Sequence, residues 1–214
     1  MAQGGEEGAG VRMLEDAVPY LKKLDLAYIR LDHIYDDGFY GVVKGRNSDG
    51  TLQLDWSKLD QTVDDILASG AKPFFSLSYM PSQLAPNIID KPNNWSDWQF
   101  LVRETVNHYS RDIEDVYYEV WNEPSLEWFG GWKMYGNKDY RVLYRYAVLG
   151  AEQAANVKPY KIGGPSIPEM DLAWIRLLFD YCLTENLRLD FISWHRYHFS
   201  SDVFNLGYYK YIKF

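Results

Sequence analysis

The sequence predicts an α/β protein built as a (β/α)8 barrel, of which it contains only part. Two observations point there. Short apolar stretches alternate with amphipathic ones at intervals of roughly 30–45 residues, the pattern of βαβ units around a parallel sheet. Several of those stretches end in polar side chains that would be costly in a core, and a barrel gathers such groups at the carboxyl ends of its strands. A dinucleotide-binding sheet is the weaker alternative, because no G-x-G-x-x-G follows the first clear strand.

Local pattern gives the elements in order. Residues 1–5 read as the stub of a first strand. A helix over 11–23 carries the stripe Leu14, Val18 and Leu21, and Pro19 within it predicts a kink. Residues 26–32 (LAYIRLD) form a strand, apolar and bounded by polar residues. Ser57, with Asp60 three residues on, opens a helix whose stripe is Leu59, Val63, Ile66 and Leu67 and whose stop is Gly70. Residues 72–79 (KPFFSLSY) form the next strand. Ser96 and Gln99 make a capping box for a helix that runs to about Ser110. Asn94-Trp95-Ser96 matches a glycosylation sequon but reads as part of that helix cap. Residues 116–121 form a third clear strand, and a helix from Asp139 turns Leu143, Ala147, Gly150, Ala151 and Ala154 inward. A short strand over 160–164 follows, in which Gly163-Gly164 marks tight packing or a turn. A helix with Leu172, Ile175, Phe179 and Cys182 on its stripe and a strand over 189–194 (LDFISW) complete the series.

This amounts to about strands 2 to 6 of a barrel with a stub of strand 1, taken as one partial catalytic domain over residues 1–214. Strands 7 and 8 find no room after His198, since a complete barrel needs about 250 residues. The open sheet edges that result invite self-association.

Composition narrows the function. A net charge of −8 argues against non-specific nucleic-acid or anionic-membrane binding. No run of 18 apolar residues spans a membrane. The first ten residues, MAQGGEEGAG, are acidic and Gly-rich, the reverse of a signal peptide. Cys182 is the single cysteine, so no intrachain disulfide forms, and it reads as core. Eight Trp and 18 Tyr are high for this length; part of the excess is core, and sugar-binding clefts also use such flat aromatic faces.

The polar strand ends supply Arg30, Asp32 and His33; then Tyr79; then Asn122 and Glu123; and last Trp194, His195 and Tyr197. Hydrolysis of a pyranoside usually takes two carboxyl groups, about 5–5.5 Å apart for retention or about 6.5–9.5 Å for inversion. Glu123 supplies one, and an adjacent amide, Asn122, suits the sugar's 2-hydroxyl. Glu119 lies roughly 13 Å below Glu123 on the same strand, too far to be the second. It points into the barrel, with Arg30 as the obvious partner. Glu127 falls on a loop past the strand end. Trp121 and Trp194 line the pocket floor, and Trp128 and Trp132 are either a sugar-stacking platform or plain packing under a loop, with stacking favoured because Gly130-Gly131 would hold them on an open turn.

EVWNEP after a short strand, with IRLDH before it and ISWHRYH after it, resembles clan A glycoside hydrolases, and most closely glycoside hydrolase family 39, the family of β-xylosidases and α-L-iduronidases. AQGGEE resembles the end of that family's first strand, so the resemblance covers essentially the whole chain. It implies retaining hydrolysis of a β-linked glycan or xyloside, with Glu123 as acid/base and Asn122 as the 2-hydroxyl contact. It places His195 and Tyr197 among the sixth-strand residues that line the site, and Arg30 near the nucleophile. In such enzymes the nucleophile is a Glu on the seventh strand, which this sequence does not reach.

Structural readings stand beside these. Arg30 is equally a plain partner of Glu119. Asp32, His33 and Tyr79 divide evenly between contact with substrate and support behind it. His195 and His198 form only a His-x-x-His pair, with no further ligands at metal-site spacing, so no metal or other cofactor is expected. The expected partner is an oligosaccharide or glycoside. The alternative function is a non-catalytic carbohydrate-binding remnant.

Overall fold

The computed structural model describes residues 2–4 and 14–196. Eight strands and five α-helices follow one another: β1 (Ala2–Gly4), α1 (Val18–Leu24), β2 (Tyr28–Asp32), β3 (Val43–Arg46), β4 (Leu52–Leu54), α2 (Ser57–Ala68), β5 (Lys72–Leu77), α3 (Trp95–Ser110), β6 (Val116–Val120), α4 (Tyr140–Glu152), β7 (Tyr160–Ile167), α5 (Leu172–Thr184) and β8 (Phe191–Trp194). Six of the strands form one sheet in the order β1-β2-β5-β6-β7-β8, every pair parallel. Sequential parallel strands joined through helices are six successive staves of a (β/α)8 barrel. No helix among the described residues is long and apolar enough to cross a membrane.

Alternation along the strands sorts the two faces. Ile29 and Leu31 of β2, Phe75 and Leu77 of β5, and Val116, Tyr118 and Val120 of β6 are fully buried on the helix side. Their neighbours point inward. Phe74, Tyr117 and Phe191 meet there with ring centroids 5.1–5.5 Å apart. Gly163 stands opposite Phe191, and a Cβ at that position would lie 2.3 Å from the Phe191 carbonyl oxygen. The glycine pair thus marks tight packing. Nearer the carboxyl ends, Arg30 and Glu119 occupy the next polar layer.

Several local expectations change. Pro19 lies in the first turn of α1 and starts that helix instead of kinking it, because the missing N–H is one the first turn does not use. The earlier part of the expected helix, 11–13, lies outside the described residues. α2 opens at Ser57 as expected, with the Asp55 carboxylate, not the Ser57 side chain, at its start, accepting the Ser57 N–H at 3.0 Å. Likewise Asn94, not Ser96, caps α3, accepting the Ser96 N–H at 3.0 Å and its hydroxyl at 2.9 Å. The β3–β4 hairpin was not expected. Its Asn47-Ser48-Asp49-Gly50 turn sits between short alternating segments, a hairpin signal too brief to weigh as two strands. Strand β7 continues past the expected end at residue 164 to Ile167. In α5 the buried residues are Leu178 and Cys182, while Leu172 and Phe179 of the expected stripe are exposed. Burial pushes the Cys182 thiol up to about 12, so it stays protonated as a core residue does.

Candidate active site

The carboxyl ends of β2, β5, β6, β7 and β8 bring their polar residues together. Arg30 is the hub. Its Nε donates to Glu119 Oε2 at 2.8 Å, and Nη2 lies 2.6 Å from the same oxygen. Nη2 also donates to Asn122 Oδ1 at 3.0 Å and to Ser166 Oγ at 3.3 Å, while Nη1 lies 3.8 Å from Asp32 Oδ1. Burial pulls the Arg30 pKa down, but the charges of Glu119 and Asp32 more than offset it, and the net shift is upward. The expected Arg30–Glu119 pair therefore forms, and Arg30 also reaches the rim.

These contacts settle the Asn122 amide. A guanidinium only donates, so the atom facing Arg30 is the carbonyl oxygen. Nδ2 then donates to Tyr79 Oη at 3.1 Å. Burial, reinforced by the Asp32 charge, raises the Tyr79 pKa, so its phenol keeps its proton. The Tyr79 ring stacks on Phe129 at 5.8 Å and meets Trp121 edge-on at 5.2 Å.

Glu123 follows directly, only 4% exposed and with φ +44°. Its N–H donates to the Ser166 carbonyl at 2.9 Å, and its Oε1 lies 2.7 Å from His195 Nδ1. His195 Nε2 is 3.0 Å from Ser166 Oγ. Asp32 accepts the His33 N–H at 2.9 Å, and its Oδ2 lies 3.5 Å from His33 Nδ1. Burial raises the Asp32 pKa, but the bond to His33 and the Arg30 charge outweigh it and leave it lowered. The His33 ring stacks on Tyr79 at 5.8 Å.

The aromatics divide. Trp121 and Trp132 are fully buried, one against the other at 5.5 Å, and Trp121 Nε1 donates to the Phe129 carbonyl at 2.7 Å. Trp132 offers no open face, which corrects its place in a stacking platform: the turn at Gly130 and Gly131, with φ of +121° and +58°, folds it back under the loop. Trp128 on the same loop is 86% exposed. Trp194 is partly buried at the end of β8. Tyr197 lies outside the described residues.

Ser166 went unnoticed in the sequence. The expected strand ends at residue 164, two residues short of Ser166, while β7 runs to Ile167.

The sequence model of the family described as glycosyl hydrolases family 39 matches residues 11–208. The β-xylosidase of Caldicellulosiruptor saccharolyticus is 31% identical over 210 residues, which take in 88% of this chain and 41% of that protein. The GH39 enzyme from Xanthomonas axonopodis pv. citri superposes with a TM-score of 0.73 at 26% identity, over 91% of this chain and 40% of its own. A monomeric β-xylosidase from Caulobacter crescentus CB15 superposes with a TM-score of 0.72 over 92% of this chain and 41% of its own; at 24% identity this speaks for the fold alone. The chain thus spans about two fifths of the length of these relatives. With that match running through most of the sequence and a partial (β/α)8 sheet beneath it, the chain belongs to glycosyl hydrolase family 39.

Proposed function

We propose that Glu123 is the acid/base group of a retaining glycoside hydrolase acting on a β-linked glycan or xyloside, and that Asn122 binds the sugar's 2-hydroxyl. The observation that carries this is the buried Glu123 carboxyl, 2.7 Å from His195 and one residue from an amide that Arg30 and Tyr79 hold from either side. As acid, Glu123 gives its proton to the glycosidic oxygen while the bond to the anomeric carbon breaks. As base, it takes a proton from the water that releases the sugar. Asn122 Nδ2 carries a second N–H beyond the one given to Tyr79, the donor a 2-hydroxyl needs. No nucleophile is assigned among the described residues: Glu119 is held by Arg30 below the rim, and Asp32 by His33 and Arg30.

Aryl β-xylosides and β-glucosides test the assignment. The chain alone is expected to turn them over weakly or not at all. In a form extended to the length of its relatives, Glu123→Ala is expected to slow hydrolysis by about 10²–10⁴-fold. Added azide should then restore turnover and give a β-glycosyl azide. Unchanged hydrolysis in Glu123→Ala sinks the assignment. The exposed Trp128 beside this site also favours a second reading, sugar binding without turnover. Calorimetric heat with xylo-oligosaccharides, lost in Trp128→Ala and unaccompanied by hydrolysis, is the result that reading requires.

A further inference from the structure

Ser166 is fully buried and holds φ +55° near the end of β7. Its hydroxyl stands between two side chains of the site, Arg30 Nη2 at 3.3 Å and His195 Nε2 at 3.0 Å. On the far side of the imidazole, Nδ1 lies 2.7 Å from Glu123 Oε1. Backbone bonds hold the same groups in place. The Ser166 carbonyl accepts the Glu123 N–H at 2.9 Å, the Ile167 carbonyl accepts the His195 N–H at 2.7 Å, and the Ser166 N–H donates to Ser193 Oγ at 3.1 Å.

Donor directions follow from chemistry. Arg30 has no acceptor, so Ser166 Oγ accepts from it. The one hydroxyl hydrogen of Ser166 then goes to His195 Nε2, since leaving it unused inside the protein would cost the full desolvation of a polar group. A neutral imidazole carries a single N–H, and with Nε2 accepting, that N–H is on Nδ1. Nδ1 donates to Glu123 Oε1. In the acid form of Glu123, Oε1 is then the accepting oxygen and the transferable proton sits on Oε2.

We infer that Ser166 is a positioning residue that holds His195 in its Nδ1–H tautomer and thereby decides which oxygen of Glu123 carries the proton. The catalytic consequence rests on Glu123 being the acid/base; the tautomer itself does not. In the other tautomer Nδ1 would be a bare acceptor. The carboxylic proton would be drawn onto Oε1, into the bond with His195, and withheld from the leaving oxygen.

Long-range 15N–1H correlation spectra of the histidine-labelled chain read the tautomer directly. His195 is identified by the signals that vanish in His195→Gln. The wild type is expected to show a protonated Nδ1 and a bare Nε2. Ser166→Gly, which suits the left-handed φ, should shift His195 to the Nε2–H form or to a mixture, while His33 and His108 keep their spectra. Ser166→Ala should do the same where glycine loosens the strand end. A protonated Nε2 in the wild type overturns the inference, as does an unchanged His195 spectrum in both variants. None of these readouts needs turnover, so they stand or fall separately from azide rescue of Glu123→Ala.

Discussion

Helices α4 and α5 are both 13 residues long and sit in successive βα units, yet α4 buries seven of its positions and α5 only two. The strands follow suit: β6 and β7 are mostly buried, while every residue of β8 is only partly so. The site straddles this divide. Arg30, Glu119, Asn122 and Tyr79 stand on the densely packed side, and His195 stands on the thin one. On the proposed assignment, substrate contact at Asn122 and proton handling at Glu123 therefore rest on supports of different strength. Asn122 is fixed by a charged pair inside the sheet. The partner of Glu123 comes from a strand with little cover and depends on Ser166 to hold it.

The largest test falls on the packed side. Glu119→Ala leaves the Arg30 guanidinium in the sheet without its main partner, with Asp32 only at 3.8 Å. Removing one member of a buried pair typically costs about 3–5 kcal/mol. Unfolding in urea should show a loss of that order. The double change Arg30→Met with Glu119→Leu should recover most of it, because no buried charge then remains. A loss below about 1 kcal/mol for Glu119→Ala would mean that this layer is not what stiffens the packed side.

A smaller contrast compares α5 with itself. Leu178 is fully buried, while Leu183 is 67% exposed on the opposite face. Leu178→Ala should cost about 2–3 kcal/mol, toward the low end for a core leucine because the surrounding unit is thin. Leu183→Ser should stay within about 0.5 kcal/mol. If Leu183→Ser costs as much as Leu178→Ala, the outward face is in use and the contrast between α4 and α5 disappears.

The same divide decided what could be read from the sequence. In α4 the spacing of Leu143, Ala147 and Ala151 led to the buried face, because a helix packed along its length hides whatever stripe it carries. In α5 nearly every position is apolar, so a 3.6-residue period could not choose between faces, and it chose Leu172 and Phe179 over Leu178. The Arg30–Glu119 pair was legible because strand alternation puts both inside, where each charge needs the other. Ser166 was not, since its part depends on three strands meeting at one hydroxyl. Trp132 misled for a related reason: a Gly-Gly turn says that the chain bends, not which way the next ring swings.

The smallest expected effect concerns Asp32, which joins the charged layer to His33 at the rim. Its pKa in the fold is lowered from 3.8, since the His33 bond and the Arg30 charge outweigh the effect of burial. A lowered carboxylate pKa means that the folded protein binds the proton less well than the unfolded chain does. The stabilisation is therefore fully present above the unfolded pKa and fades as pH falls through the folded one. Asp32→Asn keeps an oxygen for the His33 N–H but removes the charge. The stability gap between wild type and Asp32→Asn should be constant from pH 7 to about 5 and should narrow below about 4. Urea unfolding at stepped pH measures it. A gap that widens toward acid would show that Asp32 is held in its protonated form, and that the lowered pKa, with the Arg30 contact behind it, is wrong.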